Sequence, residues 1–238
     1  MPAVTLYWSK NAIAAIGPSG QNNFTNAREA AECDSNSNNT EGTNSIVSGT
    51  IRNSARGGAS FGFKRSYWGF DFTGYTAGDI TNLKFNFKPS TGSTGTLSNR
   101  FVQFEGFGAE VGSNYSDDEW WDGIESLTTY SDGFNSPDSS TVQAITLNST
   151  AIADAGDDGF LKLCLMNITD YNGIAGAVDV SNTTNWNIGS ATTGNVYLSF
   201  DYAAPGFGKN VNNVTAANIV KINNVATANI TKLNGVSA

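Results

Sequence analysis

The chain contains no histidine. This absence excludes nucleophile systems of the Ser-His-Asp and Cys-His kinds, and it excludes zinc sites built on imidazole. The two cysteines are Cys33, in a polar stretch, and Cys164, inside the apolar run FLKLCLMNI. Two such residues make no disulfide framework, and their surroundings predict one exposed and one buried thiol with no bond between them. Carboxylates are the catalytic resource that remains.

Charge is also scarce, since Asp, Glu, Lys and Arg make up 14% of the residues. The 13 Lys and Arg against 21 Asp and Glu give a net charge of -8. Nucleic-acid binding draws its affinity from cationic contacts to phosphate, so nucleic acid is rejected as a partner. Asn, Ser, Thr and Gly take the place of the missing charges, a balance typical of β proteins with polar, uncharged surfaces.

Long apolar runs are absent, because nowhere do 18 apolar residues follow one another. The N-terminal residues MPAVTLYWSK have no charged segment followed by an apolar one, so no standard export signal is predicted. The sequence therefore predicts a soluble protein without membrane insertion.

Alternation of apolar and polar residues at period two marks several strands. In ITNLKFNFKP, Leu83, Phe85 and Phe87 share one face, and SYWGFDF, NRFVQFEGF and NVYLSFDYA follow the same rule. The run from Phe160 to Ile168 is apolar on nearly both faces, which predicts a central strand. Turn-rich connections, including the polar stretch that begins at Cys33, favour antiparallel pairing. The predicted fold is an all-β, antiparallel, jelly-roll or lectin-like β-sandwich.

Helix is predicted mainly in NSTAIADAGDDG, with Ser149 or Thr150 as the N-cap and Gly156 as the left-handed stop. Pro205 and Gly206 follow the last strong strand and have the character of a linker. We therefore expect a β-sandwich body over residues 1–205 and a C-terminal repeat segment over residues 206–238.

The repeat segment contains VNNVTAANIVKINNVATANITKLNGVSA, in which one motif recurs every eleven residues. A right-handed helical supercoil has this period, but Asn-Asn and Asn-Gly pairs suit a tight turn better, so we prefer a turn followed by a short helical segment. Such a unit cannot bury its aliphatic residues alone. It is either a cap on its own domain or an element for assembly or docking. The candidate assembly residues are Val211, Val214, Ile219, Ile222, Val225, Ile230, Leu233 and Val236.

The repeat resembles the VNGVxxANIxKVNGV repeats that end many virion structural and tail-fibre-like proteins of tailed bacteriophages. The resemblance covers about the last 28 residues, with Asn213 and Asn224 where Gly is usual. The stretch SYWGFDFTGYTAGDITNLKFNFKP is similar to the opening of carbohydrate-binding-like sandwich domains. These resemblances imply a virion protein released by host lysis. They also imply partners among other virion proteins or further copies of the chain, with a trimer as the suggested oligomer.

The acidic, aromatic stretch SDDEWWDGIE allows four interpretations. It is a solvated loop, a calcium site at Asp117, Asp118 and Asp122, a glycan contact through Trp120 and Trp121, or a pair of catalytic carboxylates. The solvated loop is the simplest of the four, and catalysis has the least support.

Two further groups of residues have alternative interpretations. Asp154, Asp157 and Asp158 are read first as a turn after the helix, with calcium as the alternative. Trp8 and Trp186 are read as core or edge residues rather than binding platforms.

These features together predict a non-enzymatic virion structural protein of a tailed phage: a capsid decoration, head-fibre or tail-fibre-like protein. It requires no cofactor, with calcium left open, and it is attached or self-associated through its C-terminal repeat. The alternative is a carbohydrate-binding module or receptor-binding lectin whose partners are surface glycans.

Overall fold

The computed structural model describes residues 3–16, 35–39, 45–55, 58–89, 98–104, 127–135, 141–157, 159–173, 182–187, 196–203, 221–222, 225–226, 232–233 and 236–237. The strands are β1 Ala3–Tyr7, β2 Lys10–Ile16, β3 Ser35–Asn39, β4 Ser45–Ala55, β5 Gly58–Asp71, β6 Ile80–Pro89, β7 Ser98–Gln103, β8 Phe134–Asn135, β9 Gln143–Thr146, β10 Phe160–Asn167, β11 Asn182–Asn187, β12 Val196–Tyr202, β13 Lys221–Ile222, β14 Val225–Ala226, β15 Lys232–Leu233 and β16 Val236–Ser237. The helices are α1 Ser149–Asp157 and α2 Ile168–Asn172, with a 3-10 turn at Ala77–Asp79.

The strands of the body form two antiparallel sheets. The first sheet has the order β1-β12-β6-β9. The second has the order β11-β4-β5-β10-β7-β8, with β2 also paired to β5 and β3 paired to β2. The two sheets are joined where Trp186 and Asn187 of β11 pair with the last residues of β6. The predicted all-β class with antiparallel sheets is confirmed.

The hydrophobic core lies between the two sheets and is rich in aromatic rings. Trp68 of β5 meets Phe85 of β6 with ring centroids 5.0 Å apart, and Phe85 meets Phe101 of β7 at 4.5 Å. Phe72, just after β5, stacks on Phe200 of β12 at 5.3 Å. These pairs join one sheet to the other, as facing sheets in a sandwich do. Burying each such ring contributes about 1.5–3 kcal/mol.

The predicted inward faces are confirmed in three strands of the core. Tyr202, at the end of β12, was assigned to the buried face but is only partly buried. The other nine alternating side chains that the sequence assigns to a buried face in or next to β5, β6 and β12 are at most 2% exposed. They are Trp68, Phe70, Phe72, Leu83, Phe85, Phe87, Val196, Leu198 and Phe200. β10 pairs with β5 on one side and β7 on the other, and it is buried on both faces, as expected for a central strand.

The polar stretch after Cys33 departs from the expected turn-rich connection. Ser35–Asn39 forms β3, which pairs with β2. The sequence SNSNN has no apolar alternation, so the extended form is set by pairing to a neighbour rather than by burial of a face.

Helix α1 shows how closely the body is packed. Its cap is Asn148, whose Oδ1 accepts a hydrogen bond from Ala151 N at 3.1 Å, so the predicted caps Ser149 and Thr150 are wrong. Gly156 is also not the left-handed stop, because it lies inside the helix. A Cβ added at Gly156 would lie 2.2 Å from Ala77 N, so glycine is needed there for the helix to approach the 3-10 turn.

Candidate functional site

The C-terminal repeat forms two small antiparallel pairs of strands. In β13 and β14, Lys221 pairs with Ala226 and Ile222 pairs with Val225. The same arrangement recurs eleven residues later in β15 and β16, where Lys232 pairs with Ser237 and Leu233 pairs with Val236. The repeat in sequence is therefore a repeat in structure.

Each pair of strands is separated by two residues, Asn223-Asn224 in one and Asn234-Gly235 in the other. Such dipeptides favour the two-residue connections of β-hairpins. The residues that directly follow them, Val225–Ala226 and Val236–Ser237, are extended. The expected helical segment is therefore wrong for those residues, because hairpin pairing extends the chain there.

Four of the candidate assembly residues, Ile222, Val225, Leu233 and Val236, belong to these hairpins. The other four, Val211, Val214, Ile219 and Ile230, lie outside the described residues. The boundary at Pro205 and Gly206 also lies outside them.

The acidic, aromatic stretch is not placed by the structure. Trp120, Trp121, Asp117, Asp118 and Asp122 all lie outside the described residues, so its four interpretations are unchanged. Within the residues that are described, no three acidic or cysteine side chains come together as a metal site.

Asp154 and Asp157 of the second acidic group lie in helix α1, so the predicted turn after the helix is wrong for these two residues. Asp154 has a defined role in packing. Its Oδ2 accepts a hydrogen bond from the buried Tyr130 hydroxyl and another from Gln103 Nε2 at 3.2 Å. Asp154 thereby ties helix α1 to β7 and to the segment around Tyr130. Asp158 lies outside the described residues.

The outer face of the first sheet carries a pair of tyrosines that sequence reasoning missed. Tyr7 and Tyr197 are cross-strand partners in β1 and β12, and their ring centroids are 6.2 Å apart. Tyr7 is 44% exposed. Alternation in AVTLY was the available signal, because Val4 and Leu6 pack on the core and Thr5 and Tyr7 therefore point away from it. Trp8, by contrast, is buried as predicted.

A buried ion pair lies at an irregular point of the second sheet. β5 pairs with β4 up to Lys64 and with β10 from Ser66 onward, so Arg65 lies at the junction between the two partners. Helix α2 follows β10 directly and contacts both β4 and β7. Its Asp170 accepts two hydrogen bonds from the Arg65 guanidinium, from Nε to Oδ2 at 2.7 Å and from Nη2 to Oδ1 at 2.9 Å. Both side chains are almost fully buried.

Burial away from water shifts the pKa values of the ionisable groups in and around this ion pair. Burial alone would lower the pKa of Arg65, but the Asp170 carboxylate raises it by more, so the guanidinium stays charged. Burial raises the pKa of the Cys164 thiol and of the Tyr67 hydroxyl well above their ordinary values. The predicted buried thiol is confirmed, and its high pKa makes it a poor nucleophile. Cys33 lies outside the described residues.

No helix among the described residues is long and apolar enough to cross a membrane. No protein-family model and no curated protein matches this sequence.

Proposed function

We propose that this chain is a non-enzymatic virion structural protein of a tailed phage that joins its assembly through the C-terminal hairpins. The observation that carries the proposal is the pair of hairpins spaced eleven residues apart. Each hairpin has only two residues on each strand, and an isolated two-stranded hairpin is at best marginally stable in water. The hairpins therefore need a further surface to stabilise them.

The aliphatic content of the hairpins indicates what kind of surface that is. Each hairpin pairs two aliphatic residues, Ile222 with Val225 and Leu233 with Val236. Stacking equal units in register buries such residues in repeat proteins. The resemblance to the terminal repeats of phage virion proteins indicates the class of partner, which is other virion proteins or further copies of this chain. For self-association, the resemblance suggests a trimer.

We extend the proposal to the form of the body. Residues 1–205 are proposed to be a jelly-roll or lectin-like sandwich, and residues 206–238 a separate appendage. Support comes from the sheet orders, in which most neighbouring strands are far apart in sequence. Such connections are typical of sandwiches built from Greek keys rather than of simple meanders.

Light scattering on the full chain, on a chain ending at Pro205, and on a full-length Leu233→Asp, Val236→Asp variant tests the assembly role. We expect an oligomer for the full chain and monomers for the other two, with an unchanged melting temperature of the body. Lys232→Ser is the matched control and should remain oligomeric. The same number of subunits in all four proteins would contradict self-association through the repeat.

The virion assignment needs its own test. Peptides of this chain are expected by mass spectrometry in purified particles of a tailed phage that carries its gene. Their absence from particles, while the infected cell contains the protein, would contradict the assignment.

The alternative function is that of a carbohydrate-binding module or receptor-binding lectin. The predicted contacts Trp120 and Trp121 would be tested by a Trp120→Ala, Trp121→Ala double variant, which should lose glycan retention and keep its fold. Unchanged retention would remove this site.

A further inference from the structure

The outer face of the first sheet has an ordered set of side chains that neither the repeat nor the acidic stretch explains. Strand register places Tyr7, Tyr197, Asn86 and Ala144 in one row across β1, β12, β6 and β9. The next row is Thr5, Ser199, Lys84 and Thr146. At about 4.8 Å between strands, each row spans roughly 14 Å.

The first row contains an aromatic platform. Tyr7 is one of the two large apolar side chains that are exposed among the described residues, and its ring lies at 58° to that of Tyr197. An exposed tyrosine gives a wide contact surface with little conformational entropy to lose on binding, because it has only two side-chain torsions. Its ring can pack on apolar groups while its hydroxyl stays hydrogen-bonded.

Polar groups that are already oriented flank this platform. Asn86 Nδ2 donates to Ser199 Oγ at 2.8 Å, and Asn86 is only 5% exposed. Ser199 accepts that bond, so its own hydroxyl hydrogen is directed elsewhere. Thr5 and Thr146 add exposed hydroxyls at the two ends of the second row.

The chemistry of the face selects the class of ligand. Lys84 is the one charged side chain in the two rows, and Asp201 of β12 and the exposed Lys88 of β6 lie on the same face just beyond them, so charges of both signs border the site and neither sign dominates. A polyanion therefore gains little there. Ala144 has the only aliphatic side chain in the two rows, so apart from the tyrosines the face lacks the apolar centre of a protein interface.

We propose that the Tyr7–Tyr197 face of the first sheet binds a neutral oligosaccharide, with the C–H face of a sugar ring on the tyrosines and sugar hydroxyls bonded to the Ser, Thr and Lys groups beside them. This site is independent of the C-terminal hairpins and of Trp120 and Trp121. Its failure would therefore leave the assembly proposal intact.

Isothermal titration calorimetry on the full chain tests the site. The probes are four neutral hexasaccharides (maltohexaose, cellohexaose, xylohexaose and chitohexaose) and one acidic probe, hexagalacturonate. We expect at least one neutral probe to bind and the acidic probe to bind more weakly. Absence of binding by every neutral probe at about 10 mM, or preference for the acidic probe, would overturn the proposal.

Variants then locate the binding. Tyr7→Ala and Tyr197→Ala should each raise the dissociation constant by about tenfold or more, whereas Tyr7→Phe should keep it within about threefold. Thr5→Arg places a bulky charge beside the platform at an exposed position, so it should weaken binding equally without touching the core. Thermal melting checks that each variant is folded. Unchanged affinity in Tyr7→Ala and Thr5→Arg, or loss only in the Trp120→Ala, Trp121→Ala variant, would overturn the assignment.

Discussion

The Arg65 guanidinium and the Asp170 carboxylate form a two-bonded ion pair that is almost completely removed from solvent, between residues 105 positions apart in the chain. The pair fastens helix α2 to the point where β5 changes partner from β4 to β10. Asn167 Oδ1 caps the helix by accepting from Thr169 N at 2.8 Å, and Gly173 ends it in a left-handed conformation. Asp170 is thus held in position by its own short helix.

Removing one charge from this pair should be strongly destabilising. Asp170→Asn keeps the shape but leaves the buried Arg65 charge uncompensated, which is expected to reduce the free energy of unfolding by about 3–5 kcal/mol. The Arg65→Met, Asp170→Leu double variant removes both charges and should lose much less. Urea unfolding of the three proteins measures the difference, and a loss below about 1 kcal/mol in Asp170→Asn would show that the pair is not desolvated as described.

Stability should fall at alkaline pH because of the groups beside this pair. Folding raises the pKa of Cys164 from its ordinary 9.0 and that of Tyr67 from its ordinary 10.0, in both cases mainly through burial. The unfolded chain therefore releases protons that the folded chain retains, so their contribution is complete below pH 9 and is lost as the pH rises. Each group should remove about 1.4 kcal/mol per pH unit above its unfolded value.

Urea unfolding between pH 7 and about 10.5 measures this slope. Cys164→Ala is the matched variant, since its decline should begin only near the ordinary pKa of Tyr67, 10.0. An identical pH profile for the two proteins would contradict a buried, protonated thiol. The same burial predicts that Cys164 reacts with a thiol reagent only after unfolding.

In the body, the sequence predicted the local structure only where burial of side chains determines it. The inward faces of β5, β6 and β12 followed from the period-two alternation of large apolar side chains, although β5 also buries Phe63 and Tyr67 on its other face. Residues of β3 carry no such signal, so their pairing to β2 could not be predicted. The Arg65–Asp170 pair depends on a contact between distant segments, which no local pattern encodes.

The candidate sites were likewise predictable from the sequence only in part. The repeat was visible as an eleven-residue period, and Asn-Gly indicated its turn, but the extended residues after the turn depend on hairpin pairing. Alternation in AVTLY could place Tyr7 on the outer face, but its position beside Tyr197 depends on the register of β1 on β12.

Gly156 provides a test of the packing between helix α1 and the 3-10 turn. Alanine is the better helix former, yet its Cβ would lie 2.2 Å from the backbone N of Ala77. Gly156→Ala is therefore expected to destabilise the fold by about 1–3 kcal/mol through overpacking. Gly78→Ala is the control, because nothing lies within 4 Å of its added Cβ. Thermal melting of both variants tests this packing. Equal melting temperatures for the two variants would contradict the close approach of the helix to the turn.

Asn82 occupies a bulge that interrupts the alternation of β6. Register places Lys84 opposite Ser199 and Thr81 opposite Asp201, so Asn82 and Leu83 together face the single residue between them on β12. Asn82 has a φ of 55°, the conformation that glycine usually supplies in a bulge. The extra residue lets Ile80 and Leu83, three positions apart, both reach the core.

Asn82→Gly should therefore be tolerated, losing only the exposed hydrogen bond from Asn82 Nδ2 to Asp201 Oδ2 at 2.6 Å. Asn82→Val removes the same bond and forces a β-branched residue into the left-handed region, which is expected to cost about 1–3 kcal/mol. Comparing the two by urea unfolding separates the backbone effect from the lost bond, since both variants lack the amide. If valine were as stable as glycine here, the strand would have to pair without a bulge, and Ile80 would then turn out of the core.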